Sequence, residues 1–224
     1  MGYLYSLPKW FIIYSIGFEF VFAFITLLVA IYAYKIYRIS CQNEHKLFSL
    51  GFFSISFSYI MWFLLNLSAL FELNESTSAL NITNAINYIN LGAYAYMIFF
   101  LVGLVILTYI TLKVDSNKTL ALISSIIFLS IFLASNKGSL FYSFSAILVL
   151  FLGIHYFMEY LDKRNPRLAV MLAAFIFLFL GMVDLLLTSF NSVYFVVGHL
   201  FMVISFVLIL FNLMSALKNG KKKK

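Results

Sequence analysis

Residues 168–190 read LAVMLAAFIFLFLGMVDLLLTSF and residues 193–217 read VYFVVGHLFMVISFVLILFNLMSAL, with Asn191 and Ser192 between them and Lys218 and Lys221 to Lys224 behind. Each run is long enough to cross the ~30 Å hydrocarbon core of a bilayer as a helix, which takes about 20 residues. Neither carries the polar stripe of a helix lying on a soluble core. A two-residue link between helices permits only an antiparallel hairpin. These two runs decide the fold class: an all-α integral membrane protein with a basic tail over 218–224.

The same pattern recurs upstream. Apolar runs cover about residues 10–34, 47–71, 88–112, 119–135 and 140–160, which makes seven with the two above. Hydrophobic residues fill 64% of the 224 positions and charged residues 10%, against about 25% charged in an ordinary soluble domain. The first run is too long for the apolar region of a signal peptide and reads as a retained helix. The fourth is the shortest, and Ser124, Ser125 and Ser130 dilute it. Seven spans with short loops use up the chain, so a single seven-helix domain over 1–224 is expected, without a second, soluble domain.

Orientation follows from the basic residues, which stay on the cytoplasmic side of short loops. Assigning alternate loops to alternate sides puts Lys35, Arg38, Lys46, Lys113, Lys118, Lys163, Arg164, Arg167, Lys218 and Lys221 to Lys224 together, 13 of the 15. Lys9 and Lys137 fall on the other side. The expectation is an N-terminus outside, a C-terminus in the cytoplasm, and a multi-pass protein of the cell membrane. The formal charge of +7 sits in loops and the tail, not on a basic face interleaved with aromatics, so no nucleic-acid partner is expected. The longest external loop is expected over Glu72 to Asn87, with glycosylation sequons at Asn74 and Asn81. Cys41 is the sole cysteine, which rules out an intrachain disulfide.

Ionisable groups inside a span cost about 2.5–3.5 kcal/mol each on insertion scales and so point to a site. Glu19 falls roughly 13 Å below the outer surface, Asp184 roughly 9 Å and His199 roughly 10 Å, at 1.5 Å per residue. Asn66 and Asn90 sit shallower on the second and third helices. Asp184 and His199 flank the last hairpin at equal depth, where a carboxylate–imidazole hydrogen bond is sterically natural. These five residues are the candidate ligand-binding set. His155 belongs to the cytoplasmic third, one turn from Glu159 and far from His199, and an interfacial pair with Glu159 is expected there. Most tyrosines near helix ends read as interfacial anchors, though Tyr94 and Tyr96 are placed to reach an outer cavity.

Several chemistries lack their residues. A retinal Schiff base needs a lysine near the middle of the last helix, where Val203, Ile204, Ser205 and Phe206 stand. No G-x-S-x-G elbow or glycine-rich phosphate loop occurs. Glu19, Asp184 and His199 could formally hold a zinc ion, but no HExxH or HxxxH spacing accompanies them, so an intramembrane metal hydrolase is the lesser reading and no cofactor is expected.

The segment Tyr194 to Lys218 with Lys221 to Lys224 resembles the ending of small stand-alone seven-helix membrane proteins of prokaryotes, archaea in particular, a group that implies no activity. More loosely, an N-out bundle of this size looks like the membrane sensor module that precedes some histidine kinases. With no output domain expected after the lysines, a sensor reading requires a separate partner protein. The expected function is a non-enzymatic, receptor-like or carrier-like bundle in the lipid bilayer, binding a small polar or cationic ligand in an outward-facing cavity. The alternative is a structural or accessory subunit docked on a membrane or cytoplasmic protein partner.

Overall fold

The computed structural model describes residues 9–75, 79–112, 117–133, 135–188 and 190–221. These form helices α1 (Lys9–Ser40), α2 (Asn43–Glu75), α3 (Ala79–Leu112), α4 (Asn117–Leu133), α5 (Lys137–Lys163), α6 (Pro166–Leu187) and α7 (Val193–Lys221). Six of them, all but α4, are long and apolar enough to cross a membrane, and the chain is a helical, multi-pass membrane protein. Phe20, Phe24, Phe53, Ile147, Met158 and Phe211 are exposed on the outside of the bundle, where lipid replaces water.

The helices outrun the apolar segments that mark them in sequence. The expected external loop over Glu72 to Asn87 is largely helical, because α2 continues to Glu75 and α3 begins at Ala79. Hydropathy reports the hydrocarbon slab, whereas backbone hydrogen bonds within a helix persist in water beyond it. The side chains of Asn74 and Asn81, and residues 222–224, lie outside the described residues. At the end of α6 the difference runs the other way: the helix stops at Leu187, and Phe190 belongs to the turn. That turn closes with Asn191 Oδ1 accepting from the Val193 amide at 3.0 Å, a local side-chain turn that leads into α7.

Around the bundle, α1, α2, α3, α5, α6 and α7 form a closed ring in which α7 returns to pack on α1, while α4 packs on α3 and α5 alone. Parallel neighbours α1 and α7 meet near both ends: Phe22 lies beside His199 at one, and Tyr32 and Lys35 share a hollow with Leu217 and Lys218 at the other. Between α3 and α5, Tyr96 and Phe100 meet Phe141. Phe141 stands in the second turn of α5, whereas Tyr96 is 16 residues before the end of α3. The chain thus returns about 24 Å between them at 1.5 Å per residue. The 17 residues of α4 cover about 26 Å, so α4 makes that return and α3 and α5 run in one direction. Every odd-numbered helix therefore starts at the same end, called here the amino end. Lys9 and Lys137 lie there, and Lys35, Arg38, Lys46, Lys118, Lys163, Arg164, Arg167, Lys218 and Lys221 lie toward the other.

Without a hydrophobic drive in lipid, the seams rely on close approach and hydrogen bonds. Ser49 Oγ donates to Ala30 O at 2.8 Å and Ser56 Oγ to Ala23 O at 3.0 Å, which ties α2 to α1 in antiparallel register. Gly51 and Gly103 let α2 and α3 touch backbone to backbone, since a Cβ on Gly103 would stand 2.6 Å from Gly51 O and 2.5 Å from the Ile55 side chain. Gly181 and Gly198 do the same for α6 and α7.

Candidate functional site: an aromatic cavity around Glu19

Glu19 is 2% exposed on α1, among apolar walls. Its Oε1 accepts from Ser15 Oγ at 2.8 Å, one turn earlier on the same helix, and from Asn66 Nδ2 of α2 at 2.9 Å. The Trp62 indole, one turn from Asn66, approaches the carboxylate, but Oε2 is left without a hydrogen bond. On α5, Lys163 forms an ion pair with Glu159. That pairing corrects the expected His155–Glu159 contact, since Glu159 reaches toward the helix end and the His155 ring lies against Tyr156.

Ser15 and Glu19 line a cavity of about 210 Å³ at the amino end, where Phe22, Tyr59, Trp62 and Tyr96 supply aromatic walls. Tyr142 and Phe195 line it from α5 and α7. The walls hold one another: Phe22 and Tyr59 have ring centroids 5.0 Å apart, and Tyr59 and Tyr96 5.4 Å. Such tilted pairs add about 0.5–1.5 kcal/mol each beyond burial, which favours a preformed cavity. Tyr59 Oη approaches Tyr96 without completing a hydrogen bond.

His199 lines the same cavity and is 8% exposed. Its Nδ1 lies 2.7 Å from Phe195 O, one turn back on α7. A carbonyl oxygen only accepts, so Nδ1 carries a proton, and the neutral ring keeps Nε2 as an acceptor. The ring stacks on Phe22 at 5.6 Å and meets Phe18 edge-on at 5.6 Å, which fixes its tilt.

Of the five candidates, then, the fold brings Glu19, Asn66 and His199 together at one end. Asp184 is not among them. It sits on the α6–α7 seam, its Cβ 3.1 Å from where a Cβ on Gly198 would stand, and its Oδ2 is buried without a hydrogen bond. Equal depth put it beside His199 in sequence, but Asp184 lies on the seam against Gly198 and outside the cavity lining that holds His199, and the expected carboxylate–imidazole bond is not formed among the described residues. Asn90 likewise stays off the cavity wall, which α3 contributes through Ala93, Tyr96 and Met97. Among the described residues no three His, Cys, Asp or Glu side chains gather at metal-binding range, so Glu19, Asp184 and His199 are not assembled as a ligand set. Tyr96 reaches the cavity as expected, whereas Tyr94 is 37% exposed on the outside. Ser15, Tyr59, Trp62 and Tyr142 were not foreseen. Ser15 was detectable as a donor one turn from a buried acid; the tyrosines resemble interfacial anchors until packing shows which of them face inward.

Fold and site together define a multi-pass helical membrane protein with a small polar-and-aromatic cavity at the amino end of its bundle. No protein-family model, curated protein or solved structure matches the chain.

Proposed function

We propose that this protein crosses the cell membrane seven times, N-terminus outside and C-terminus in the cytoplasm, and binds a small polar or cationic ligand in an outward-facing cavity as a receptor or carrier. The observation that carries the reading is Glu19, a buried acid whose side chain lines the cavity and whose Oε2 makes no hydrogen bond. Leaving such a group unsatisfied costs about 1–3 kcal/mol, more when it is charged. A cluster that served only to neutralise itself would have closed on that oxygen. The orientation rests on the distribution of basic residues between the two ends of the bundle, because positive loops are retained in the cytoplasm.

Two measurements test this function. In a Cys41→Ser background, Gly138→Cys places a thiol at the cavity, where a Cβ meets nothing nearer than Asn136 Oδ1 at 3.9 Å. It is expected to react in intact cells with a membrane-impermeant thiosulfonate; reaction only after permeabilisation would overturn the outward-facing arrangement. Native mass spectrometry of protein exposed to a polar small-molecule extract is expected to show an adduct that Asp184→Asn keeps and Glu19→Gln loses. An adduct kept by both variants would place binding elsewhere.

A further inference from the structure

We infer that the hollow between α1 and α7 at the basic end of the bundle binds the headgroup phosphate of an anionic phospholipid. It lies at the opposite end from the Glu19 cavity and does not depend on what that cavity binds.

The hollow measures about 550 Å³ and is lined by Tyr32, Lys35 and Ile39 of α1 and by Leu217 and Lys218 of α7. The apolar runs of these two helices end near residues 34 and 217, so the lining straddles the level where hydrocarbon gives way to headgroups. A tyrosine there is an ordinary interfacial anchor. The direction of Lys35 is less ordinary. Its Nζ stands 5.2 Å from the centre of the Tyr32 ring, and Tyr32 precedes it by three residues, on the hydrocarbon side. A lysine near the end of a span usually extends its ammonium outward to water. Side chains of a helix lean toward its N-terminus, which at this end of α1 is inward, and the ring face holds the charge there. An ammonium kept at headgroup level meets the phosphate of a lipid.

Charge selects an anionic headgroup. Two lysines border the hollow, and none of its described lining residues is an acid. Among the described acids of this end, Glu44, Glu159 and Asp162 all act on Lys163 of α5. An ammonium offers three donors and no acceptor, and its hydrogen bonds to phosphate oxygens are charge-assisted. A zwitterionic lipid brings a cation of its own, which the two lysines repel.

The apolar part of the lining selects a lipid over a free anion. Ile39 and Leu217 complete the hollow. One turn toward the hydrocarbon, on the same helix faces as Lys35 and Lys218, Ile31 and Met214 are exposed. They give an acyl chain a surface to follow. The hollow itself equals the space of about eighteen liquid waters, which admits a phosphate with its glycerol.

The test titrates the delipidated full chain in mild detergent with phosphatidylglycerol or phosphatidylcholine and counts bound lipid by native mass spectrometry. One phosphatidylglycerol is expected to bind at least about tenfold more tightly than phosphatidylcholine, since two lysines meet its headgroup. Lys35→Gln and Lys218→Gln are each expected to weaken phosphatidylglycerol about fivefold and to leave phosphatidylcholine unchanged. Tyr32→Leu, which frees the Lys35 ammonium, is expected to weaken it about threefold. Lys46→Gln removes the same charge from an exposed position of α2 outside the hollow and is expected to leave the preference intact. If Lys35→Gln does not fold, Lys218→Gln, at an exposed position, carries the test. An equal loss in Lys46→Gln would show attraction to the charge of the whole end and overturn the site. Equal binding of the two lipids overturns the headgroup assignment. Displacement of phosphatidylglycerol by inorganic phosphate at the lipid's own concentration overturns the lipid as the ligand.

Discussion

Asn66 on α2 and Ser15 on α1 both donate to one oxygen of Glu19, at 2.9 Å and 2.8 Å. The bond from Asn66 spans 47 residues of sequence and couples the first two helices at the depth of the site. The carboxylate is thereby held by its Oε1 side, while Oε2 is buried without a hydrogen bond.

Removing either donor should be felt in stability. Asn66→Ala leaves Oε1 with a single partner, and a destabilisation of about 1–3 kcal/mol is expected, read as a lower unfolding temperature in mild detergent. Because both donors serve one oxygen, Ser15→Ala and Asn66→Ala are expected to be non-additive in a double-mutant cycle. Strict additivity would show that the two bonds act independently and that the shared oxygen is not what joins them.

The glycine seams predict opposite outcomes for chemically identical changes. Gly103→Ala drives a methyl group to 2.6 Å from Gly51 O, and overpacking of this kind costs about 1–3 kcal/mol. Gly17→Ala meets nothing within 4 Å on an exposed face of α1 and is expected to be neutral or slightly stabilising, since alanine favours a helix by up to about 1 kcal/mol. Similar unfolding temperatures for the two variants would contradict the close α2–α3 contact.

Cys41 offers a label already in place. It is exposed, in the left-handed region at φ 55°, in the turn between α1 and α2, and it is the only cysteine in the sequence. With the basic end in the cytoplasm, an impermeant maleimide is expected to spare Cys41 in intact cells and modify it after permeabilisation. Modification of intact cells would invert the orientation and turn the cavity inward.

The role of α4 is separable from that of the other six helices. At about 26 Å long it is slightly shorter than the ~30 Å hydrocarbon core. It lies outside the ring against α3 and α5. In a Cys41→Ser background, Ser135→Cys beyond its C-terminal end is expected to be accessible from outside, and Lys118→Cys near its start only from inside. Accessibility of both from one side would show that α4 does not span.

Much of the architecture was legible from apolar runs, because lipid allows only helices or closed barrels and runs of about 20 apolar residues fit helices, not barrel strands. The ends were less so. Residues 79–87 hold three asparagines and a threonine, and read as loop, yet α3 begins at Ala79. Of the site, Glu19, Asn66 and His199 could be picked out because each is polar within an apolar run, and depth alone brought them to one level. Depth says nothing of azimuth, which is where Asp184 and Asn90 parted from the others.

The sequence by itself determined that this chain lives in a bilayer as helices, because its 64% hydrophobic residues fall in unbroken runs of helix-spanning length, about 20 residues, too long for barrel strands. It also set which polar groups share a depth, by counting residues from the helix ends. The tertiary structure decided which of them share a cavity. That choice depends on the rotation of each helix about its axis, set by contacts such as Gly181 against Gly198 and Ser56 against Ala23. Those contacts join residues far apart in the chain, and no local pattern encodes them.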